Sequence, residues 1–493
     1  MFERSLRNDS MKNDDPPSPN QNTTHAPVDH QLVLCDRLKQ IWGYSEFRPP
    51  QGEIVQSILS HRDTLIILPT GGGKSLCFQL PAVMQPGLTI VVSPLVALME
   101  NQVQELKQRR IPVAMLHSEL SAVLRKQILN TLTNYRLLYL SPETLLSASV
   151  WQRLLNPELK INSLIVDEAH CLTQWGEIFR PVYYRLGAVR SALSNNRNRV
   201  TIAAFTATAN PLTQATIQHI LQLEAPQCFR LSPYRANLTL QIQSVSTPRQ
   251  RRQKLLEVIR SQIGSGLVYV RSRRDGEELA EWLNQQGYRT VAYHAGLKSI
   301  DRRQIEQHWI NDRLQFVVAT CAFGMGVNKS ATRWVVHYHA PFLMSEYVQE
   351  IGRAGRDGKN AIAVLLKSSW LDSEDRQRWQ FFESKEHEQT VKAQKLIQKL
   401  PRQGNIDTVS REFKGAAIAL SLLHSANQLI WTEPFHYEIQ SKRQLPKTSL
   451  LNSTQSMQSY LRTKDCRWKF VLRSFGFEQE AYNFACGHCD NCR

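Results

Sequence analysis

One glycine-rich segment of the chain has the residue types that hold phosphate groups. It runs Leu68-Pro-Thr-Gly-Gly-Gly-Lys-Ser75, directly after an apolar run and before a stretch that can begin a helix. Glycines let backbone amides approach phosphates, while the lysine can reach the β- and γ-phosphates and the serine hydroxyl can bind Mg²⁺. The candidate nucleotide-binding residues are Thr70, Gly71, Gly72, Gly73, Lys74 and Ser75. Because Leu68 stands where the full phosphate-loop pattern has glycine, a glycine-rich turn with a surface lysine is the alternative.

Two adjacent acids follow another apolar run, Ser163-Leu-Ile-Val166. In open α/β sheets, ligands bind at the carboxyl ends of the strands, and Asp167 and Glu168 fall at such an end. Asp167 could hold Mg²⁺ through water, and Glu168 could polarise a water molecule that attacks a phosphate in line. Both acids could instead cap the helix that follows. Because we expect the glycine-rich segment to lie on the same sheet, the two acids indicate nucleotide hydrolysis.

Two arginines farther along the chain could complete this site. The segment Gln349-Glu-Ile-Gly-Arg-Ala-Gly-Arg-Asp-Gly358 spaces Arg353 and Arg356 three residues apart, which puts both on one helical face. Across a cleft from the phosphate-binding segment, their guanidinium groups could neutralise charge that develops on the γ-phosphate. The alternative is a basic helical face that contacts water or DNA phosphates.

The cysteines are concentrated near the C-terminal end, where four of the nine lie at or after position 466. Their spacing is that of a structural zinc site in which four thiolates fill a tetrahedron. The predicted ligands are Cys466, Cys486, Cys489 and Cys492. Disulfide pairing is the alternative, which an intracellular location disfavours.

The elements that must position these residues follow from the hydrophobic pattern. Short apolar runs alternate with stretches of helical length over residues 31–235, and the pattern begins again over 236–371. This alternation predicts two tandem α/β domains, each built on a parallel sheet, that join near 233–248. The predicted strands are 64–68, 88–92, 137–140, 163–166, 266–270, 290–293, 316–318 and 334–337.

Three further segments differ in composition from the two α/β domains. Residues 1–30 are polar and predict a disordered tail without an export signal. Residues 372–454 predict a mostly helical insert, in which two helices and a hairpin follow one another in an order that a winged helix could have. DNA binding by this insert and a purely structural insert are both open. Residues 455–493 hold the cysteines and predict a zinc-binding subdomain.

Composition narrows the classes of partner and location. The 493 residues carry 60 Lys and Arg against 43 Asp and Glu, a net charge of +17, which favours a polyanion such as nucleic acid. No apolar run reaches the roughly 18 residues that span a bilayer, so we expect no membrane partner. We expect an intracellular protein that is not secreted, in a bacterial cell a cytoplasmic one near the nucleoid.

Several of these motifs resemble those of superfamily 2 helicases in their type and order. Segments that resemble helicase motifs I, II, III and VI are 70–75, 167–170, 205–209 and 349–358. Other segments are similar to features of RecQ DNA helicases in particular. These are 43–51 (their motif 0), 171–181 (their aromatic-rich loop), 323–329 (their motif V) and 455–493 (their zinc-binding subdomain).

The resemblance implies two RecA-like motor domains and an ATP-dependent DNA helicase of a short form that ends after the zinc-binding subdomain. It implies ATP, Mg²⁺ and Zn²⁺ as cofactors, and single-stranded, tailed or branched DNA as the partner. Translocation from 3′ to 5′ and a role in repair or recombination are implied in the same way. An RNA helicase of superfamily 2 and an ATP-dependent DNA clamp that does not unwind are the rival functions.

The resemblance also assigns roles to single residues. It implies that Tyr44 and Arg48 stack on adenine while Gln51 reads its hydrogen-bonding edge. It implies that Arg356 is an arginine finger with Arg353 beside it. It further implies that an aromatic-rich loop couples DNA to the ATP site through Trp175, Phe179 and Arg180. For Trp175, packing beneath the cleft is the alternative.

Overall fold

The computed structural model describes residues 30–174, 180–194, 199–323, 329–368, 374–442 and 450–493. The chain divides into a short unit that ends at Phe47 and a large unit that begins at Arg48. The short unit contains helix α1 (His30–Trp42), and the polar tail predicted over 1–30 falls outside the described residues apart from His30.

The first lobe of the large unit is built on a seven-stranded sheet. Its strands are β1 (Thr64–Ile67), β2 (Leu88–Val92), β3 (Val113–Leu116), β4 (Leu137–Leu140), β5 (Ile161–Val166), β6 (Thr201–Thr206) and β7 (Gln227–Arg230). They lie in the order β3-β4-β2-β5-β6-β1-β7, and every neighbouring pair is parallel. The central strands are continuously buried, as parallel strands covered on both faces are.

Helices connect the strands of the first lobe. The α-helices are α2 (Gln51–Leu59), α3 (Lys74–Met84), α4 (Val96–Gln108), α5 (Ala122–Asn130), α6 (Pro142–Leu145), α7 (Ala148–Leu154), α8 (Cys171–Gln174), α9 (Val189–Leu193) and α10 (Pro211–Ile220). Two 3-10 helices lie at Leu132–Asn134 and Pro181–Arg185. Because β6 lies between β1 and β5, the segments that follow these three strands meet at one edge of the sheet.

The second lobe is built on a six-stranded parallel sheet. Its strands are β8 (Leu238–Val245), β9 (Gly266–Tyr269), β10 (Ala292–Tyr293), β11 (Phe316–Ala319), β12 (Trp334–His337) and β13 (Ala361–Ser368). Their order is β10-β11-β9-β12-β13-β8, again with parallel neighbours throughout. The helices are α11 (Pro248–Ser261), α12 (Arg273–Gln285), α13 (Ser299–Ile310) and α14 (Met344–Ile351).

The two parallel sheets confirm the predicted fold class, and each predicted strand coincides with an observed one. Five further strands were not predicted: β3, β6, β7, β8 and β13. Two of them, β7 and β8, lie at sheet edges and are incompletely buried, and their sequences lack a continuous apolar run. Strand β8 falls in the segment predicted to join the two domains, where apolar and polar residues alternate as in a strand with one buried face.

Residues 374–442, called the insert below, form a small body of their own. Its elements are α15 (Glu374–Ile397), β14 (Gln403–Asn405), α16 (Ile406–Glu412), α17 (Ala416–Ser425), β15 (Leu429–Glu433) and β16 (His436–Ile439). The three strands form an antiparallel sheet in the order β14-β16-β15. Helix, strand, two helices and a hairpin is the element order of a winged helix; α15 and β14 were not predicted as separate elements.

The insert packs on the first lobe, although the chain enters it from the second. Tyr184 accepts a hydrogen bond from Ser425 at 3.0 Å, and its ring meets His424 edge-on. Arg185 donates to the carbonyl of Pro434, and its guanidinium lies 4.8 Å from the centre of the Phe435 ring. Helix α17 has the place in the element order that the recognition helix has in DNA-binding helix-turn-helix proteins. In this chain α17 is buried against the first lobe.

The last segment contains α18 (Leu450–Arg462), α19 (Arg467–Ser474) and α20 (Glu478–Ala481) and packs on the second lobe. Trp468 donates from its indole nitrogen to Leu238 O at the start of β8, at 3.0 Å. Asp490 accepts from the amide of Ile242 on the same strand, also at 3.0 Å. Among the described residues, no helix is both long and apolar enough to cross a membrane.

Candidate active site

The glycine-rich segment turns sharply from β1 into the first turn of α3. Gly71 and Gly73 have φ angles of 86° and 74°, in the left-handed region that favours glycine. A β-carbon on Gly73 would lie 2.3 Å from Nε2 of Gln51, so a larger residue there would displace the Gln51 side chain. Lys74 begins α3, and its Nζ lies 3.4 Å from Leu68 O. The amino-terminal end of α3 thus opens beside a lysine, which suits a phosphate group.

Gln51 is buried and contacts the glycine-rich loop. Its Nε2 donates to Gly72 O at 3.0 Å, and its Oε1 accepts from the amide of Arg48 at 3.0 Å. These contacts fix the loop through α2. The side chains of Arg48 and Tyr44 are exposed, and adenine recognition by these three residues stays a prediction.

Asp167 and Glu168 lie at the carboxyl end of β5, as predicted. Asp167 is buried, and its carboxylate accepts from the amide of Glu168 at 3.0 Å. Burial raises the pKa of Asp167 to about 7, and the charge of Glu168 adds to that rise. Burial also acts to raise the pKa of Glu168, but His170 and Lys74 outweigh burial and lower it to about 2. Glu168 is therefore ionised at neutral pH and able to orient a water molecule.

His170 connects the acidic pair to the neighbouring strand. Its Nδ1 lies 3.3 Å from Oε2 of Glu168 and 3.1 Å from the hydroxyl of Thr206 at the end of β6. The Thr206 hydroxyl also accepts from the amide of Thr208 and donates to its carbonyl, both at 3.2 Å. Glu168 is thus linked through His170 to the segment after β6. That segment belongs to the helicase-like motif at 205–209, for which the sequence predicted no role.

The predicted arginines approach the glycine-rich loop from the second lobe. A β-carbon on Gly71 would lie 3.8 Å from Cγ of Arg356, and one on Gly352 would lie 3.3 Å from the Thr70 hydroxyl. Burial and, to a lesser degree, the charge of Arg353 together lower the pKa of Arg356 to about 9. Arg353 is itself buried, and its positive charge acts on Glu168 across the cleft. Both lobes therefore contribute charged groups to one site.

Two residues that the sequence did not single out hold the arginine-bearing segment in place. Arg235, between the two sheets, donates to Ala354 O at 2.8 Å and also to Gly355 O. Asn237 donates to Gly355 O at 2.9 Å and to Lys359 O at 2.7 Å. A single arginine and a single asparagine between two strands give no periodic signal, so only the folded chain identifies them.

A buried charge network supports helix α14 from behind. Arg271 donates to both carboxylate oxygens of Glu350, at 3.2 and 2.7 Å, and His337 Nε2 lies 2.8 Å from one of them. These contacts keep the pKa of Glu350 low, at about 2, against the effect of burial. The pairing compensates the charges in the interior and fixes the helix that precedes Arg353.

Arg180 connects two segments of the first lobe that follow strands. It donates to Pro94 O at 2.9 Å, and its Nε lies 3.5 Å from a carboxylate oxygen of Glu143. The predicted stacking residues Trp175 and Phe179 lie outside the described residues. Arg180 thus joins the loops after β2 and β4, whereas its role in DNA coupling stays a prediction.

The four C-terminal cysteines come together as predicted. The sulfur atoms of Cys466, Cys486, Cys489 and Cys492 all lie within 4.8 Å of one another. Tetrahedral zinc with sulfur ligands at about 2.3 Å needs sulfur atoms about 3.8 Å apart, and the Cys486–Cys492 pair is at 3.9 Å. Amides also point at the sulfurs: Cys486 N donates to Cys466 and Arg467 N donates to Cys489. This donor set fits one Zn²⁺.

Family models match three parts of the chain. The DEAD/DEAH box helicase model matches residues 48–217, and the helicase conserved C-terminal domain model matches 250–358. A RecQ zinc-binding model matches 428–493. The ATP-dependent DNA helicase RecQ of Synechocystis sp. is 46% identical over 467 residues, covering 93% of this chain and 98% of that protein. The chain belongs to the RecQ family of DNA helicases.

A second relative agrees with RecQ family membership, and two solved structures share the fold. The probable ATP-dependent DNA helicase RecS of Bacillus subtilis is 40% identical, covering 68% of this chain and 67% of that protein. The Mycobacterium smegmatis helicase Lhr bound to single-stranded DNA and AMP-PNP has a TM-score of 0.58 at 18% identity, covering 87% and 62% of the two chains. S. cerevisiae Dbp5 bound to RNA and ADP BeF3 has a TM-score of 0.56 at 17% identity, covering 70% and 90%. These two likenesses concern the fold alone. As a RecQ helicase, the chain is an ATP-dependent enzyme that uses Mg²⁺, binds DNA and carries zinc.

Proposed function

We propose that this RecQ protein translocates from 3′ to 5′ on single-stranded DNA and unwinds tailed or branched duplexes, in repair or recombination. One observation carries the proposal. The stem of Arg356 from the second lobe lies against Gly71 of the first, and the charge of Arg353 from the second lobe acts on the buried Glu168. A site completed by both lobes can convert a change at the γ-phosphate into a relative movement of the lobes.

The hydrolytic roles follow from the chemistry of each group. Lys74 and the loop amides would bind the phosphates of ATP, and Ser75 with Asp167 would hold the Mg²⁺. When bound, Mg²⁺ neutralises phosphate charge. Glu168, held ionised by His170, would orient the attacking water in line with the scissile bond. Arg356, with Arg353 beside it, would stabilise the charge that develops as that bond breaks.

We further propose how the remaining predicted residues take part. Tyr44, Arg48 and Gln51 would bind the adenine base. A base stacked on Trp175 or Phe179, with Arg180 fixing the end of that loop, would report DNA occupancy to the neighbouring acids. Contacts to the DNA backbone would come from small polar residues and amides after the strands, which read no sequence.

The two parallel sheets support a division of the chain into two helicase domains followed by two smaller segments. Residues 31–235 would be the ATP-binding domain, 236–371 the C-terminal helicase domain, 372–454 the insert and 455–493 the zinc-binding subdomain. The zinc subdomain would serve a structural purpose, because four thiolates fill the coordination sphere and leave no open position. Action on DNA puts the protein inside the cell, where its substrate is.

The deciding experiment combines ATPase and unwinding assays on matched substrates. We expect DNA to stimulate hydrolysis, and a 3′-tailed duplex to be unwound faster than a 5′-tailed or blunt one. A forked duplex tests the preference for branched DNA. Equal or better unwinding of matched RNA duplexes would favour an RNA helicase. DNA-stimulated hydrolysis without strand separation would favour an ATP-dependent clamp.

A further inference from the structure

An open groove in the insert has the chemistry of a phosphate-binding surface. It has a volume of about 470 Å³, and it lies between the second half of α15 and the turn that leads into α17. None of its lining residues is acidic. They are Gln389, Lys392, Ala393, Lys395, Leu396, Lys399, Lys414, Gly415 and Ile418.

The lysines line both walls of the groove. Lys392 and Lys395 are three residues apart, which puts them on one face of α15 about one helical turn from each other, and Lys399 follows in the turn after the helix. Lys414 faces them from the opposite wall. All four side chains belong to exposed residues. A row of ammonium groups along the end of α15 and the turn after it matches an extended chain of negative charges better than it matches a single small anion.

Few negative charges oppose these lysines. Lys392 forms an exposed ion pair with Glu388 at 2.6 Å, which is worth little in water. Lys395, Lys399 and Lys414 make no ion pair with any carboxylate in the described part of the chain. The sequence from 389 to 402 contains no Asp or Glu, whereas the first half of α15 contains several. The groove end of the helix therefore carries an excess of positive charge.

The helix that opens at this groove adds to its positive potential. Helix α17 has ten residues, and its amino-terminal cap is Gly415, with a φ angle of 92° and no side chain that hydrogen-bonds to the first turn. The amino-terminal end of a helix carries partial positive charge and presents backbone amides. A β-carbon on Gly415 would lie 3.8 Å from Leu396, so the helix end lies close to α15.

From these observations we propose that the groove binds the phosphate backbone of DNA. The inference rests on the proposed function, because translocation on DNA would bring this polyanion to the insert. Since α17 is buried against the first lobe, it is not free to read the major groove in the manner of a recognition helix. The contact is made instead by ammonium groups and by the start of α17, so it reads no base sequence. Because the insert packs on the first lobe, the groove moves with that lobe.

The test compares two triple variants with the same loss of charge. One carries Lys395→Ala, Lys399→Ala and Lys414→Ala in the groove. The control carries three exposed lysines of the first lobe changed to alanine, Lys107, Lys126 and Lys160. Affinity for a 3′-tailed duplex is measured by fluorescence anisotropy between 50 and 200 mM salt. We expect the groove variant to bind roughly tenfold more weakly and its slope of log K against log salt to fall by about 2 to 3, since each phosphate contact contributes about 0.9.

Further measurements make each outcome decisive. The groove variant should keep its melting temperature and its ATPase activity without DNA, and replacement of the same three lysines by arginine should retain DNA affinity. A groove variant that binds DNA as the control does would overturn the inference. So would unchanged DNA affinity with loss of binding to a polyglutamate peptide, which would indicate an acidic protein partner. A wild-type protein that binds no DNA would instead refute the proposed function itself.

Discussion

Arg356 of the second lobe lies against Gly71 of the first, with 3.8 Å between its Cγ and a β-carbon built on that glycine. The φ angle of 86° at Gly71 favours glycine, and this backbone conformation lets the loop amides face a phosphate. We therefore expect the same contact to serve nucleotide binding and the closing of the two lobes. Mutation of Arg356 can separate its effect on turnover from its effect on nucleotide affinity.

Replacement of Arg356 by alanine should lower the turnover number by about a thousandfold or more, with nucleotide affinity changed only a few-fold. The low pKa of this guanidinium indicates that burial disfavours its charged form, so its removal should not lower the melting temperature. Steady-state ATPase kinetics and thermal unfolding measure the two effects. A variant with normal turnover, or one that unfolds early, would show that Arg356 is a structural residue.

Lys74→Ala and Glu168→Gln should fail at different steps. The lysine variant loses an ammonium group that binds phosphate charge, so it should bind ATP weakly. The glutamine variant keeps the shape of the side chain but loses the charge that orients water, so it should bind ATP and hydrolyse it about 10² to 10⁴ times more slowly. Nucleotide binding by fluorescence and single-turnover hydrolysis distinguish them. Normal turnover in either variant would remove these residues from the active site.

Trp175→Ala should uncouple DNA from hydrolysis. We expect ATPase activity without DNA to remain near normal, while its stimulation by single-stranded DNA falls and unwinding is lost. Trp175→Phe keeps an aromatic face for base stacking and should retain part of the stimulation. If the alanine variant loses basal activity and melts at a lower temperature, Trp175 packs in the core.

The contact between the insert and the first lobe should weaken in acid. Burial lowers the pKa of His424 to about 4, and the charge of His219, whose ring stacks on it at 5.4 Å, adds to this effect. The unfolded chain therefore takes up a proton before the folded chain does. Stability should fall as the pH drops from about 6.5 to 4, by up to about 3 kcal/mol.

Urea unfolding between pH 7 and pH 4.5 measures this dependence. His424→Gln removes the titrating group and should flatten the curve, whereas the exposed His387→Gln should leave it unchanged. An identical pH slope in the wild type and His424→Gln would refute the assignment.

One Zn²⁺ per chain should be found by elemental analysis. Cys489→Ser should abolish metal binding and reduce solubility and DNA affinity, because the segment that carries Trp468 and Asp490 would lose its hold on β8. Cys77→Ala and Cys321→Ala are matched controls, since both lie outside the cluster, and should keep one zinc. A native protein that folds fully without zinc, or one with these four cysteines in disulfides, would contradict this prediction.

The sequence alone determined the features that depend on local pattern. The apolar runs predicted strands such as β1 and β5 because buried parallel strands need side chains that are apolar on both faces. The residue types at Lys74, Asp167 and Glu168 predicted phosphate chemistry, and the spacing of Cys486, Cys489 and Cys492 predicted zinc. Each of these signals lies within a few consecutive residues, so no knowledge of the fold is needed to read it.

Only the tertiary structure decided which distant residues meet. Arg235 holds the segment of Arg356 from more than a hundred positions away, and nothing in its neighbours signals this. The winged-helix order of the insert was readable, but its docking through Tyr184 and Arg185 on the first lobe was not. Such contacts depend on how buried surfaces of separate elements fit together, and that fit is fixed by the packing of the whole chain rather than by any local pattern.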